Sequence, residues 1–191
     1  MNTARLEAFT DGVVAIIITI MVLEIRVPQG ADLSALRADV PLLLAYLLSY
    51  VNVGIFWNNH HHMLHATERI NGKVLWANLA LLFWLSLVPF VIRWIDEAGF
   101  SALPTASYGL VLALAAVSYL ILEQQIIACN GPDSRLALAV GGDRKGMLSL
   151  ALYVLAIVLA FVRPSIAIGL YVAVALLWLV PDRRIESLIG K

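Results

Sequence analysis

Ten consecutive residues, Phe56-Trp57-Asn58-Asn59-His60-His61-His62-Met63-Leu64-His65, hold all four histidines of this 191-residue chain. Trp57 and His61 stand four residues apart, as do His61 and His65, so on a helix each pair shares a face. Three kinds of chemistry suit such a cluster. Imidazoles at this spacing can ligate zinc, but no glutamate completes a His-Glu-x-x-His arrangement and no outer-sphere carboxylate is evident nearby, so no metal site is expected. Histidine titrates near neutrality, which makes a pH sensor the second option. The third is structural, with indole and imidazole donors hydrogen-bonding a carboxylate taken into the membrane. Asp11 is the candidate acceptor and Trp57 and His61 are the candidate donors, with His60 or His62 able to take the place of His61.

Asp11 lies in an unusual segment. Residues 4–25 read as a helix yet carry Arg5, Glu7, Asp11 and Glu24, and only 12–23 is uncharged. A membrane helix needs roughly 20 mostly apolar residues, so this stretch is too short to span alone. A carboxylate at the bilayer centre costs roughly 2.5–3.5 kcal/mol on insertion scales, so Asp11 should face protein, water or the headgroup level. At about 100° per residue, Gly12, Ile16, Thr19, Ile20 and Leu23 fall within one stripe, and Asp11 lies about 140° away from Ile16 on the back of the helix. Arg5 and Phe9 continue the stripe below. Apolar residues at this spacing serve packing, or else line a symmetric pore whose narrowest rings are apolar and gate by dewetting.

The elements that position these residues are helices. Hydrophobic residues make up 61% of the chain and charged residues 14%, with a mean hydropathy of +0.88. A soluble domain of this size needs more polar surface. Uncharged spans at 40–59, 74–92, 98–122, 146–162 and 164–181 lack the alternation of barrel strands, which makes the class all-α. With the first segment they predict six transmembrane helices at about 4–26, 38–62, 70–95, 103–129, 146–162 and 164–182, forming one domain over 1–191. The last two join through Arg163 and Pro164, a residue suited to the first turn of a helix. The longest polar connections, 26–39 and 130–146, carry turn chemistry in Pro28-Gln29-Gly30, Asn130-Gly131-Pro132-Asp133 and Gly141-Gly142-Asp143.

With the N-terminus inside, Arg5, Arg69, Lys73, Arg135, Arg144, Lys145, Arg183, Arg184 and Lys191 fall on the inner side. Arg26, Arg37, Arg93 and Arg163 fall on the outer side. That excess predicts cytoplasmic N- and C-termini in a multi-pass plasma-membrane protein surrounded by lipid. The single cysteine, Cys129, excludes an intrachain disulfide. The formal net charge is zero, which leaves no electrostatic footprint for nucleic acid. The first apolar stretch is interrupted by Asp11 and lacks a small-residue cleavage site, so it is not read as a cleaved signal.

Arg5-Leu6-Glu7-Ala8-Phe9-Thr10-Asp11-Gly12 resembles the Arg-x-x-x-Phe-Ser-Asp signature of the transmembrane protein 175 family, with Thr10 keeping the hydroxyl of the usual serine. The run 13–25 is similar to that family's first helix, and the resemblance extends over the whole chain. It implies a potassium-selective or potassium-permeable channel and not an enzyme. It further implies a homotetramer whose first helices surround the pore. Carried over by position, it implies a constriction at Ile16, Ile20 and Leu23, a pore threonine layer at Thr19, and an anchoring network of Arg5, Phe9, Thr10, Asp11, Trp57 and His61. No cofactor is expected; potassium is the permeant ion, and bound potassium in the pore fits the reading. The Thr-Val-Gly-Tyr-Gly filter is absent, and Val140-Gly141-Gly142 is no substitute, so selectivity falls to side chains or pore geometry. The alternative function is a proton-coupled secondary transporter using Asp11 and the histidines, although no inverted repeat is apparent.

Overall fold

The computed structural model describes residues 3–28, 30–140 and 144–179, all of whose regular elements are helices. In chain order these are α1 (Thr3–Leu23), α2 (Leu33–His65), α3 (Gly72–Ser86), α4 (Val88–Glu97), α5 (Ala102–Asn130), α6 (Arg135–Val140), α7 (Arg144–Ala160) and α8 (Pro164–Leu179). Four stretches are long and apolar enough to cross a membrane: Thr3–Leu23, Asp39–His65, Gly72–Glu97 and Ala102–Asn130. The first corrects the expectation of a segment too short to span, because the helix runs on through Arg5, Glu7 and Asp11 to reach 21 residues. The apolar helices Lys145–Ala160 and Pro164–Leu179 are shorter. The turn at Gly141-Gly142-Asp143, residue Gln29, the end expected for the last helix, and Arg183, Arg184 and Lys191 lie outside the described residues.

The third span is not one helix. Pro89 stands at the start of α4 and has no N–H to donate, so the ladder breaks at Leu87 and restarts. The same span begins on a side-chain cap, with Asn71 accepting the Val74 N–H at 3.1 Å. The second helix starts earlier than its uncharged core suggests. Its first turns, from Leu33, carry Arg37 and Asp39 beyond the apolar stretch. The polar connection after α5 also holds the short helix α6, which opens on Ser134 accepting the Ala137 N–H. Between α4 and α5 the chain turns through Gly99 at φ 64°, and the Phe100 N–H closes back on the Ile95 carbonyl.

Helix α5 is the centre of the protein and packs against α3, α4, α7 and α8. Gly109 allows the closest approach, because a methyl group there would overlap the Tyr171 ring and hydroxyl from α8. That hydroxyl donates to the Thr105 carbonyl at 3.0 Å. On the α2 side of α5, Ser49 donates to the Tyr108 hydroxyl at 3.0 Å. In lipid the apolar environment removes most of the water-driven force between helices, so small-residue packing and such hydrogen bonds carry the association. Helix α1 lies on the flank of this bundle, against α2, α3 and α4.

Candidate functional site

Helix α1 divides into two faces. Leu6, Thr10, Val14, Ile17 and Met21 recur every three or four residues and are buried against α2, α3 and α4. On the other side, Ile16 is 58% exposed, Ile20 40% and Leu23 80%, while Ile17 is 3% exposed. Gly12 and Thr19 are exposed on that same stripe, and so are Arg5 and Phe9 below it. Among the described residues, no other helix covers it. The Thr19 hydroxyl donates to the Ile16 carbonyl at 2.8 Å, which leaves its oxygen lone pairs as acceptors on the exposed face.

Both ends of α1 are tied to the bundle. Beyond Leu23, Glu24 pairs with Arg93 of α4 at 3.2 Å and Arg26 pairs with Asp96 at 2.8 Å. Arg93 also meets Glu97 one turn further along α4, at 3.0 Å. Along its N-terminal half the ties are to α2 and α3. The Trp57 indole N–H donates to Asp11 Oδ1 at 2.8 Å. One helical turn back on α1, Glu7 Oε1 lies 3.0 Å from His61 Nδ1 and 3.7 Å from His65 Nε2. The two helices run in opposite directions, so a step of four along α2 from Trp57 to His61 matches a step of four back along α1 from Asp11 to Glu7. Trp57 and His61 stack, with ring centroids 5.9 Å apart, and His61 meets His65 edge-on at 4.4 Å.

The most deeply buried part of the network is its α3 side. The Asn78 amide donates to Thr10 Oγ1 at 3.0 Å, and its carbonyl oxygen lies 2.7 Å from His60 Nε2. Because the Asn78 amide nitrogen is the donor to Thr10, its oxygen is the acceptor, which places the His60 proton on Nε2. His60 Nδ1 is then an acceptor, and among the described residues it has no partner. Thr10 is 1% exposed and His60 is equally buried.

These positions redistribute the roles expected from the sequence. Trp57 reaches Asp11, but His61 does not, because its place on α2 is level with Glu7. His60 turns to Asn78, and His62 contributes only an edge contact to His61 at 5.7 Å. Asp11 is half-buried, and the buried polar centre of α1 is Thr10. Arg5 and Phe9 are exposed and, among the described residues, make no hydrogen bond or ion pair to the network. Two residues outside the expected set join it, Glu7 and Asn78. A carboxylate does stand beside the histidines, since Glu7, His61 and His65 bring ligand atoms within 4.8 Å of one another. Asn78 had one signal in the sequence, an amide within an apolar span.

Similarity to known proteins places this arrangement. Residues 5–89, which hold nearly all of α1 and the whole of α2 and α3 with the polar network between them, match the family model described as endosomal/lysosomal potassium channel TMEM175. A potassium channel of Chryseobacterium sp. (strain P1-3) is 51% identical over 187 residues, covering 98% of this chain and 97% of that one. The chain belongs to the TMEM175 family. That family is one of ion channels and not of enzymes, and this member is an integral membrane protein built of apolar helices. A solved TMEM175 homologue from Chamaesiphon minutus, described as a lysosomal potassium-selective channel homologue, superposes with a TM-score of 0.83 at 26% identity. That match covers 94% of this chain and 97% of that one. Human TMEM175, which bears the name endosomal/lysosomal proton channel, is 35% identical over 96 residues, covering 44% of this chain and 19% of the human protein.

Proposed function

We propose that four copies of this chain assemble around a common axis as a potassium-permeable channel of the plasma membrane, with α1 of each copy lining the pore. Each chain acts as a single channel domain with six membrane crossings, the two short helices α7 and α8 completing the set, and with both termini cytoplasmic. The observation that supports this reading best is the uncovered face of α1. A helix charged at both ends and pinned at both ends leaves Ile16, Thr19, Ile20 and Leu23 without cover among the described residues. Lipid would suit the apolar members of that face but not Thr19 or the flanking charges. Around an axis the same face forms rings: apolar ones at Ile16, Ile20 and Leu23, and a hydroxyl ring at Thr19. The apolar rings give a hydrophobic gate, because an ion crossing them loses hydration without replacement ligands. The threonine oxygens offer partial replacement, which makes Thr19 the layer where potassium is distinguished. Potassium is the permeant ion, and no cofactor takes part.

Reconstitution of the purified chain in liposomes tests this. Potassium flux should exceed sodium flux, with caesium for comparison, and planar bilayers should show discrete current steps. Saturable flux with a fixed proton stoichiometry would instead identify a proton-coupled transporter. A second reading, permeation of protons beside potassium, is favoured by the name the human relative bears. A pH-sensitive dye inside the same liposomes distinguishes it.

A further inference from the structure

We propose that Glu7, His61 and His65 form a binding site for one divalent cation of the zinc class, bridging α1 to α2. The donor set is two imidazoles and a carboxylate, the three protein ligands of an open zinc site with one position left for water. Two of the three spacings are close as well. Ligand atoms about 2.0–2.2 Å from a tetrahedral ion lie roughly 3.3–3.5 Å from one another. Glu7 Oε1 lies 3.0 Å from His61 Nδ1 and 3.7 Å from His65 Nε2, values on either side of that range, and all three ligand atoms fall within 4.8 Å of one another.

A hydrogen-bonded cluster alone accounts for only half of this geometry. His61 to Glu7 is a hydrogen-bond distance, whereas 3.7 Å to His65 is too long for one. Two ring nitrogens therefore converge on a single carboxylate oxygen, and only one of them lies within hydrogen-bonding distance of it. A metal ion at their meeting point accepts a lone pair from each ring and from the carboxylate, so all three groups are bonded at once. The His61 ring is already fixed between Trp57 and His65. All three ligands are partly or fully exposed, so an ion can enter without unfolding the inner half of the bundle. The nitrogen and oxygen donors, with no more than one carboxylate, favour zinc over calcium or magnesium, which require more oxygen ligands.

The test is zinc binding by the full-length chain, tag-free and detergent-solubilised, titrated against a chromophoric chelator. The expected result is one zinc ion per chain. Glu7→Gln and His65→Ala should each weaken binding by at least the roughly 10–100-fold that even an outer-sphere change costs, whereas Cys129→Ser should leave it unchanged. Zinc should also raise the thermal midpoint of the wild-type protein by roughly several degrees, and that of neither variant. Both altered side chains are at the surface of the inner end, and size-exclusion profiles confirm that the variants are folded. Equal affinity in wild type, Glu7→Gln and His65→Ala overturns the proposal, as does tighter binding of calcium or magnesium. None of these readouts requires ion flux, so they stand apart from the channel assay.

Discussion

Trp57 donates its indole N–H to Asp11 across 2.8 Å, one turn above the contact between His61 and Glu7. The bond holds the N-terminal half of α1 against α2 with its carboxylate turned away from the Ile16 face. A hydrogen bond to a charged acceptor contributes about 1.5–3 kcal/mol. The partly exposed setting of Trp57 places this one at the lower end. Trp57→Phe and Asp11→Ala should therefore each lower the thermal midpoint of the assembled protein in detergent. Combined, they should cost less than their sum, because they remove the same bond. Asp11→Ala should reduce the assembled fraction on size exclusion while leaving the reversal potential of surviving channels in place. A normal assembly with a shifted reversal potential would move Asp11 from anchor to ion pathway.

Deeper in the bundle, Asn78 connects Thr10 on α1 to His60 on α2. Asn78→Leu keeps the volume but strands the Thr10 hydroxyl and the His60 Nε2–H in a buried site. The expected cost is about 1–3 kcal/mol. Thr10→Val removes one acceptor and should cost less. Thr10→Ser keeps the oxygen and should be close to neutral. Thermal unfolding of the three variants gives the order directly, and a Thr10→Ser variant as unstable as Asn78→Leu would break the argument.

The part of this site that was legible in the sequence is the part set by one helix alone. The 3.6-residue period separates Ile16, Thr19, Ile20 and Leu23 from Thr10 and Ile17 without knowledge of any neighbour. The pairing of Trp57 with Asp11 was also legible, since the charge needs a donor and the Trp-His cluster lies at the matching membrane edge. What escaped depends on the relative register of two helices. A difference of one turn decides whether His61 meets Asp11 or Glu7, and nothing in either segment fixes that turn. Asn78 escaped for a similar reason, because only the rotation of α3 decides which polar residue it meets. The break at Leu87 was written in Pro89, yet hydropathy runs through it undisturbed.

Gly109 sets the distance between α5 and α8, with the Tyr171 ring lying where a β-carbon would stand. Gly109→Ala should destabilise the protein by about 1–3 kcal/mol through overpacking. Tyr171→Leu in the same chain should recover part of the loss, because the smaller side chain vacates the space, although it also removes the donor to the Thr105 carbonyl. Unfolding of the single and double variants measures the coupling. A Gly109→Ala variant as stable as the wild type would mean that α8 can shift outward freely.

The uncovered face of α1 yields the prediction on which the channel reading depends most. Ile16 and Ile20 are exposed in the single chain, so replacing either with asparagine removes little packing and should leave stability nearly unchanged. In the proposed pore the same change would put amide groups in place of a dry ring, and ions would gain ligands at the narrowest point. Ile16→Asn and Ile20→Asn should therefore raise conductance and the fraction of time open in planar bilayers. Thr19→Val is the complementary change. It preserves shape, removes the hydroxyl ring, and should lower the potassium-to-sodium permeability ratio without abolishing current. Seen together, larger current from the isoleucine variants and weaker discrimination from the threonine variant would assign gate and selectivity to adjacent turns of one helix. Unaltered currents in all three would place the ion pathway elsewhere, and the exposed stripe would then be a surface for packing between subunits.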